Sequence, residues 1–195
     1  QFWFDSIEGY LTDRLYGRLE TTDEESIDDE RRERLITTLC NYSVGETAAL
    51  EGAAGLVQLA PDRNSKIFMA TQVADEARHL EVFLHRLREL GVTDPEAEIE
   101  RRAQPALVDF KGALLELVAG GDWQAAVFAQ NVILETMEYT VFRLHAANAD
   151  AVTRDVLAGV IAKAVDGRMP ADQETIRYTG VYGDDLEARP YLMRE

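Results

Sequence analysis

Glu76 and His79 stand three residues apart in "VADEARHLEVF" (Val73 to Phe83). On a helix that spacing puts both side chains on one face. A carboxylate beside an imidazole offers two donors to a transition-metal cation. The pair alone is weak evidence. The chain has 36 Asp and Glu residues, and the solvated face of an acidic helix gives the same pattern. A metal centre needs further ligands from other helices.

Two more carboxylates occupy positions where a core residue belongs. Glu46 lies in "NYSVGETAALEGAAGLV", on a face with Leu39, Tyr42, Ser43, Ala49, Leu50 and Ala53. Burying a carboxylate there is costly without a partner. The alternative is a slightly rotated helix with Glu46 at its boundary. Glu135, in "FAQNVILETMEYTVF", shares a stripe with Phe128, Val132, Tyr139 and Phe142. Glu138 follows one turn later and reads as a ligand, as an acid behind the ligands, or as surface.

Spacing adds weight to the set. Glu46 precedes Glu76 by 30 residues, and a similar step beyond Glu135 reaches "AKAVDGRMP". Set against "TQVADEARH", this segment places Asp166 opposite Glu76, Arg168 opposite Arg78 and Met169 opposite His79. The chain therefore reads as a helix pair used twice. Each pair carries a carboxylate on its first helix. The first pair ends in a full Glu-x-x-His and the second in something like its remnant.

The elements that must hold these residues are helices. Strand signals are nearly absent and helical periodicity is nearly continuous. The pattern predicts a first helix over about Phe2 to Leu19 and a polar linker over Glu20 to Glu30. Ser26 with Asp29 resembles a capping box. The next helix runs to about Ala60, where Pro61 stops it. Asp62 caps another, which ends at Gly91. One begins near Pro105 and ends at Gly120-Gly121. Asp122 caps a long one to about Asn148, and a last one runs from near Asp150 to about Asp166. Long helices with short connections make a bundle. After Met169-Pro170 the pattern weakens.

Bulk properties narrow the partners. A net charge of −16 argues against nucleic acid and against an anionic membrane surface. A single cysteine, Cys40, permits no internal disulfide, suits a reducing cytoplasm, and sits where core packing is expected. No apolar run approaches the roughly 18 residues of a membrane span, and no signal peptide is visible. The first residue is Gln1 rather than Met, so the natural chain is expected to begin earlier. His85 is expected at the surface, and His145 as a satisfied, partly buried side chain.

The carboxylates and Glu-x-x-His together resemble the ferritin-like di-iron carboxylate proteins, whose bundle core carries a Glu from each of two helices and a Glu-x-x-His from each of two others. "GETAAL" and "DEARH" look most like bacterial multicomponent monooxygenase hydroxylases, with the ribonucleotide reductase small subunit and related oxidases close behind. The resemblance covers about Ile27 to Asp166. It implies an all-α fold, a ferritin-like antiparallel four-helix bundle with additional helices, as a single domain over 1–195. It implies Glu46, Glu76, His79 and Glu135 as iron ligands, with Asp166 as a shorter carboxylate in the second set. Asp75 and Arg78 would then stand behind the ligands, the Asp receiving a ligand His N–H and the Arg pairing with it. Glu138 could join them there. Two iron ions, or an iron–manganese pair, would be the cofactor. Tyr42, Phe128, Tyr139 and Phe142 would wall an apolar substrate cavity.

The activity implied is that of an O2-activating non-haem di-iron oxygenase or oxidase. It would hydroxylate or N-oxygenate a small organic substrate with electrons from a donor protein, and the many apolar helical faces suggest a homodimer. Two alternatives stay open, a ferritin-like iron-handling protein and a metal-free scaffold or subunit. The departure from the family pattern lies at Met169, a soft thioether poorly suited to iron–oxygen chemistry. Three explanations compete. A stretch near 166–170 is missing from the sequence as given; or Asp166 serves an altered, asymmetric or mononuclear site; or the bundle survives without metal.

Overall fold

The structure, a computed structural model, describes residues 26–166, with side chains through residue 161. The helix expected over Phe2–Leu19 and the tail after Asp166 lie outside the described residues. Within them the chain is helical and has no strand. The helices are α1 (Asp29–Leu59), α2 (Arg63–Glu89), α3 (Pro95–Arg102), α4 (Pro105–Ala119), α5 (Trp123–Phe128), α6 (Glu135–Ala146) and α7 (Ala151–Asp166). A π-helical segment, Ala129–Leu134, joins α5 to α6. This is the all-α bundle that the ferritin-like resemblance implies.

Local chemistry sets most boundaries. Asp28 caps α1 by accepting from the Arg31 N–H at 2.7 Å, so the capping residue is Asp28 rather than the expected Ser26. Its carboxylate reaches N3, and Asp29 and Glu30 in the first turn complement the helix dipole. Pro61 disfavours helical backbone at Ala60 and ends α1. Asp62 caps α2 through the Ser65 N–H at 2.9 Å. Gly91, at φ 90°, turns the chain out of α2. Asp94 caps α3, a short helix that the periodicity did not signal. Asp122 caps α5 through the Ala125 N–H.

α1 packs along α2 and also against α4 and α3, while α7 packs on α6 and α2. Besides a small apolar cluster of Ala48, Ala49 and Leu134, the core holds two large ones. One holds Leu35, Leu39, Cys40, Val82, Phe83, Leu87, Phe142, Leu157 and Val160. The other holds Leu56, Met69, Leu114, Ala126 and Val127. Burying each large apolar side chain stabilises by about 1.5–3 kcal/mol. Between the clusters, α1, α2 and the π–α6 helix each turn polar side chains inward: Glu46, then Gln72, Glu76 and His79, then Gln130, Asn131 and Glu138. The two clusters thus clamp a buried polar layer from both ends.

A second buried polar contact ties the far end. Arg86 is 1% exposed and donates to Asp150 Oδ1 at 3.2 Å and to Glu89 at 3.0 Å. Asp150 also accepts from the Thr153 N–H at 3.0 Å, capping α7. One carboxylate therefore starts α7 and anchors it to α2.

Candidate metal centre

Glu46, Glu76 and His79 meet in the middle of the polar layer. Their exposures are 0%, 2% and 5%. One donor atom from each lies within 4.8 Å of the others. His79 Nδ1 is 3.0 Å from Glu76 Oε2 and 3.4 Å from Glu46 Oε2. The Glu46 side chain is therefore fully inside, not at a helix boundary.

Glu138 enters from α6. It is buried, and its carboxylate presses on the α1 backbone at Gly45, where an added Cβ would overlap Glu138 Oε1. Of the three readings open for Glu138, the surface one is excluded. Glu135, half-buried one turn earlier, takes a different partner. Gln72 Nε2 donates to Glu135 Oε1 at 2.7 Å, and Asn131 Nδ2 donates to Gln72 Oε1 at 3.0 Å. Glu135 thus adjoins the Glu46–Glu76–His79 group without being one of the three.

The electrostatics follow from burial and crowding. Desolvation, then the charges of Glu76 and Glu135, push Glu46 well above the ordinary carboxylate range, against the opposing pull of Arg78. Desolvation, then Glu46, Glu135 and Glu76, do the same to Glu138. Both Glu46 oxygens, His79 Nε2 and Glu138 Oε1 are buried with no hydrogen-bond partner. Orphaned buried acceptors of this kind are costly. A divalent cation satisfies them, and a set of hard carboxylates with one imidazole suits iron or manganese. The residues present fit a metal.

The remaining expected positions fall as follows. Asp75 and Arg78 are half-buried on α2. Asp166 ends α7, and its side chain lies outside the described residues. The aromatic set is divided. Tyr42 packs edge-on against Phe142 at 4.7 Å and near Phe83 at 5.6 Å. Tyr42 Oη lies 3.0 Å from His145 Nδ1, which gives His145 its expected partner. Tyr139 is half-buried with the Arg143 guanidinium 5.4 Å from its ring centre. Phe128, the fourth residue expected on a cavity wall, is 46% exposed. The cause is the π segment. In an α-helix, residues seven apart point within about 20° of each other; the wider i→i+5 turn breaks that register, so the stripe joining Phe128 to Glu135 does not hold. His85, expected at the surface, is half-buried beside Glu89 at 3.5 Å.

Sequence reasoning missed Gln72, Gln130, Asn131 and Gly45. A signal was present for two of them. Gln72 and Asn131 each precede a site carboxylate by four residues, one helical turn on the same face.

A family model described as methane/phenol/alkene hydroxylase matches residues 12–167. No curated protein and no solved structure gives a significant match.

Proposed function

The chain belongs to the methane/phenol/alkene hydroxylase family, and on that premise we propose that it is an O2-activating di-iron oxygenase acting on a small organic substrate, by hydroxylation or N-oxygenation. The observation that carries this reading is the buried Glu46–Glu76–His79 group, with both Glu46 oxygens and His79 Nε2 left without hydrogen-bond partners.

Glu46, Glu76 and His79 would hold one ion. Glu138, Glu135 and Asp166 are the carboxylates available to a second. Bound iron, or an iron–manganese pair, supplies the capacity to reduce O2, with electrons from a separate donor protein. The chain's own part is binding and placement. Gln72 holds the Glu135 carboxylate by its 2.7 Å hydrogen bond. Arg78 offsets part of the negative charge at Glu46. The apolar clusters on both sides of the polar layer keep water from the site. Asp75 is the candidate to orient a ligand histidine. Tyr42 and Phe142, packed together, are the aromatic candidates for the substrate side.

The test is metal content after expression with iron. Wild-type protein is expected to hold iron, and Glu76→Gln and His79→Ala are expected to lose it while keeping the helical circular dichroism signal. Full iron stoichiometry in both variants would sink the reading. Turnover of ferrous iron and O2 with no organic co-substrate would favour iron handling instead.

A further inference from the structure

Five of the seven exposed large apolar side chains among the described residues lie on one helix: Phe128, Ile133, Met137, Val141 and Leu144. From Ile133 to Leu144 they recur at spacings of four, four and three, which keeps them on one face. The π turn brings Phe128 round toward the same stripe. The exposed positions interleaved with them are Thr136, Thr140 and Arg143. This face carries no charge from Ile133 until Arg143, in a chain that is 29% charged. Exposed, contiguous and uncharged surface of this kind marks an interaction site. It backs the helix whose other side supplies Glu135 and Glu138.

The chain itself provides an occupant. The described residues begin beside the Leu144 end of this stripe. Arg31 Nη2 donates to the Asn148 carbonyl at 3.4 Å, and Ile27 packs on the cluster containing Phe142 and Ala146. The sequence before them has the matching pattern. Phe4, Ile7, Leu11 and Leu15 recur at three- and four-residue spacing, with Asp5 and Asp13 turned away from them, Glu8 and Arg14 at the edges of the stripe and Arg18 at its C-terminal end. A helix over Phe2–Leu19 would run about 27 Å, and Phe128 to Leu144 spans about 24 Å of the host helix. The polar residues 20–25 are a short tether between the two.

We propose that the N-terminal segment, Phe2–Leu19, docks as an amphipathic helix on the Phe128–Leu144 stripe, roughly parallel to α6, with Leu15 near Leu144 and Ile7 near Ile133. The segment would act as a built-in cover over the outer face of the helix that bears Glu135 and Glu138.

The test uses the full chain with paired cysteines and a short bis-maleimide linker. Cys40 can stay, because it is fully buried and burial holds its thiol up at about 11. All substituted host positions are exposed, so the fold should tolerate them. Leu15→Cys with Leu144→Cys, and Ile7→Cys with Ile133→Cys, are expected to link within one chain. Control pairs that join Leu15→Cys to Val108→Cys or Ile67→Cys are expected to link at least tenfold less. Links between two chains would overturn the proposal in favour of a second copy. A link from Leu144→Cys to Leu192→Cys would overturn it in favour of the C-terminal tail. No link from either N-terminal pair would overturn it in favour of another protein.

Discussion

Gly45 on α1 and Glu138 on α6 are in direct opposition, with the Glu138 carboxylate occupying the space that any larger residue at position 45 would need for its Cβ. The glycine is therefore a spatial requirement of the buried acid, not a flexible point in the helix. Gly45→Ala should force Glu138 aside or push α1 and α6 apart. Overpacking of this kind costs about 1–3 kcal/mol. We expect a lower unfolding temperature together with weaker metal retention. The double variant Gly45→Ala with Glu138→Ala, which removes the clash, should recover the stability and not the metal. An unchanged metal content in Gly45→Ala would show that Glu138 takes no part in binding.

The raised protonation of Glu138 and Glu46 makes the metal-free protein sensitive to pH. An unfolded glutamate titrates near about 4.3, and both groups lie well above that when folded. The folded state thus binds more protons, so these groups favour folding below the unfolded value, and that contribution is lost as pH rises toward the folded one. Glu138→Gln is neutral in both states and escapes the loss. In metal-free protein it should unfold at a higher temperature than wild type at pH 7–8, with the difference vanishing below about pH 4.5. A gain on the order of 1 kcal/mol corresponds to about 2–4 °C for a chain of this size. Adding iron should reverse the order, because ligand binding to the folded state stabilises wild type more. Thermal scans with and without a chelator measure both.

Gln72 is the donor that holds Glu135 and the acceptor for the Asn131 amide N–H. Gln72→Leu removes both hydrogen bonds, and the loss at the buried Asn131 amide alone costs about 1–3 kcal/mol. Gln72→Glu keeps the acceptor and loses the donor, placing a carboxylate against Glu135. We expect Gln72→Glu to be the more damaging in the absence of metal, and the gap between the two variants to narrow when iron is bound. Chemical denaturation of each variant with and without iron decides this.

The buried Arg86–Asp150 pair should be far more sensitive than the exposed ones. Asp150→Ala leaves a guanidinium at 1% exposure short of a partner and uncaps α7, so a loss of about 3–5 kcal/mol is expected. Glu51→Ala, which removes the half-exposed Lys111–Glu51 pair, should cost under about 1 kcal/mol. Comparable losses in the two variants would contradict the burial argument.

Most helix limits were legible in the sequence because local chemistry sets them. Pro61, Asp62, Gly91, Gly120-Gly121 and Asp122 act on their own backbone and need no distant partner. Asp28 was missed because Ser26 and Asp29 also fit a capping pattern, and only the actual entry angle of the chain selects one. α3 was missed because eight residues with a single buried position, Pro95, leave no periodic signal.

The site was legible to the same depth. Glu46, Glu76 and His79 were visible because a carboxylate on an apolar stripe, and an acid three residues before a histidine, are departures that a single helix displays. What those helices do to one another was not visible. The sequence determined that Glu46, Glu76 and His79 would be buried polar groups and which family pattern they follow. Only the tertiary structure decided that Glu138 presses on α1 at Gly45, that Gln72 claims Glu135, and that Phe128 is exposed. Each of those outcomes depends on the π segment and on the close approach of α1 to α6 at Gly45. One extra residue in a helical turn rotates everything beyond it, and a periodicity of 3.6 cannot announce where that happens.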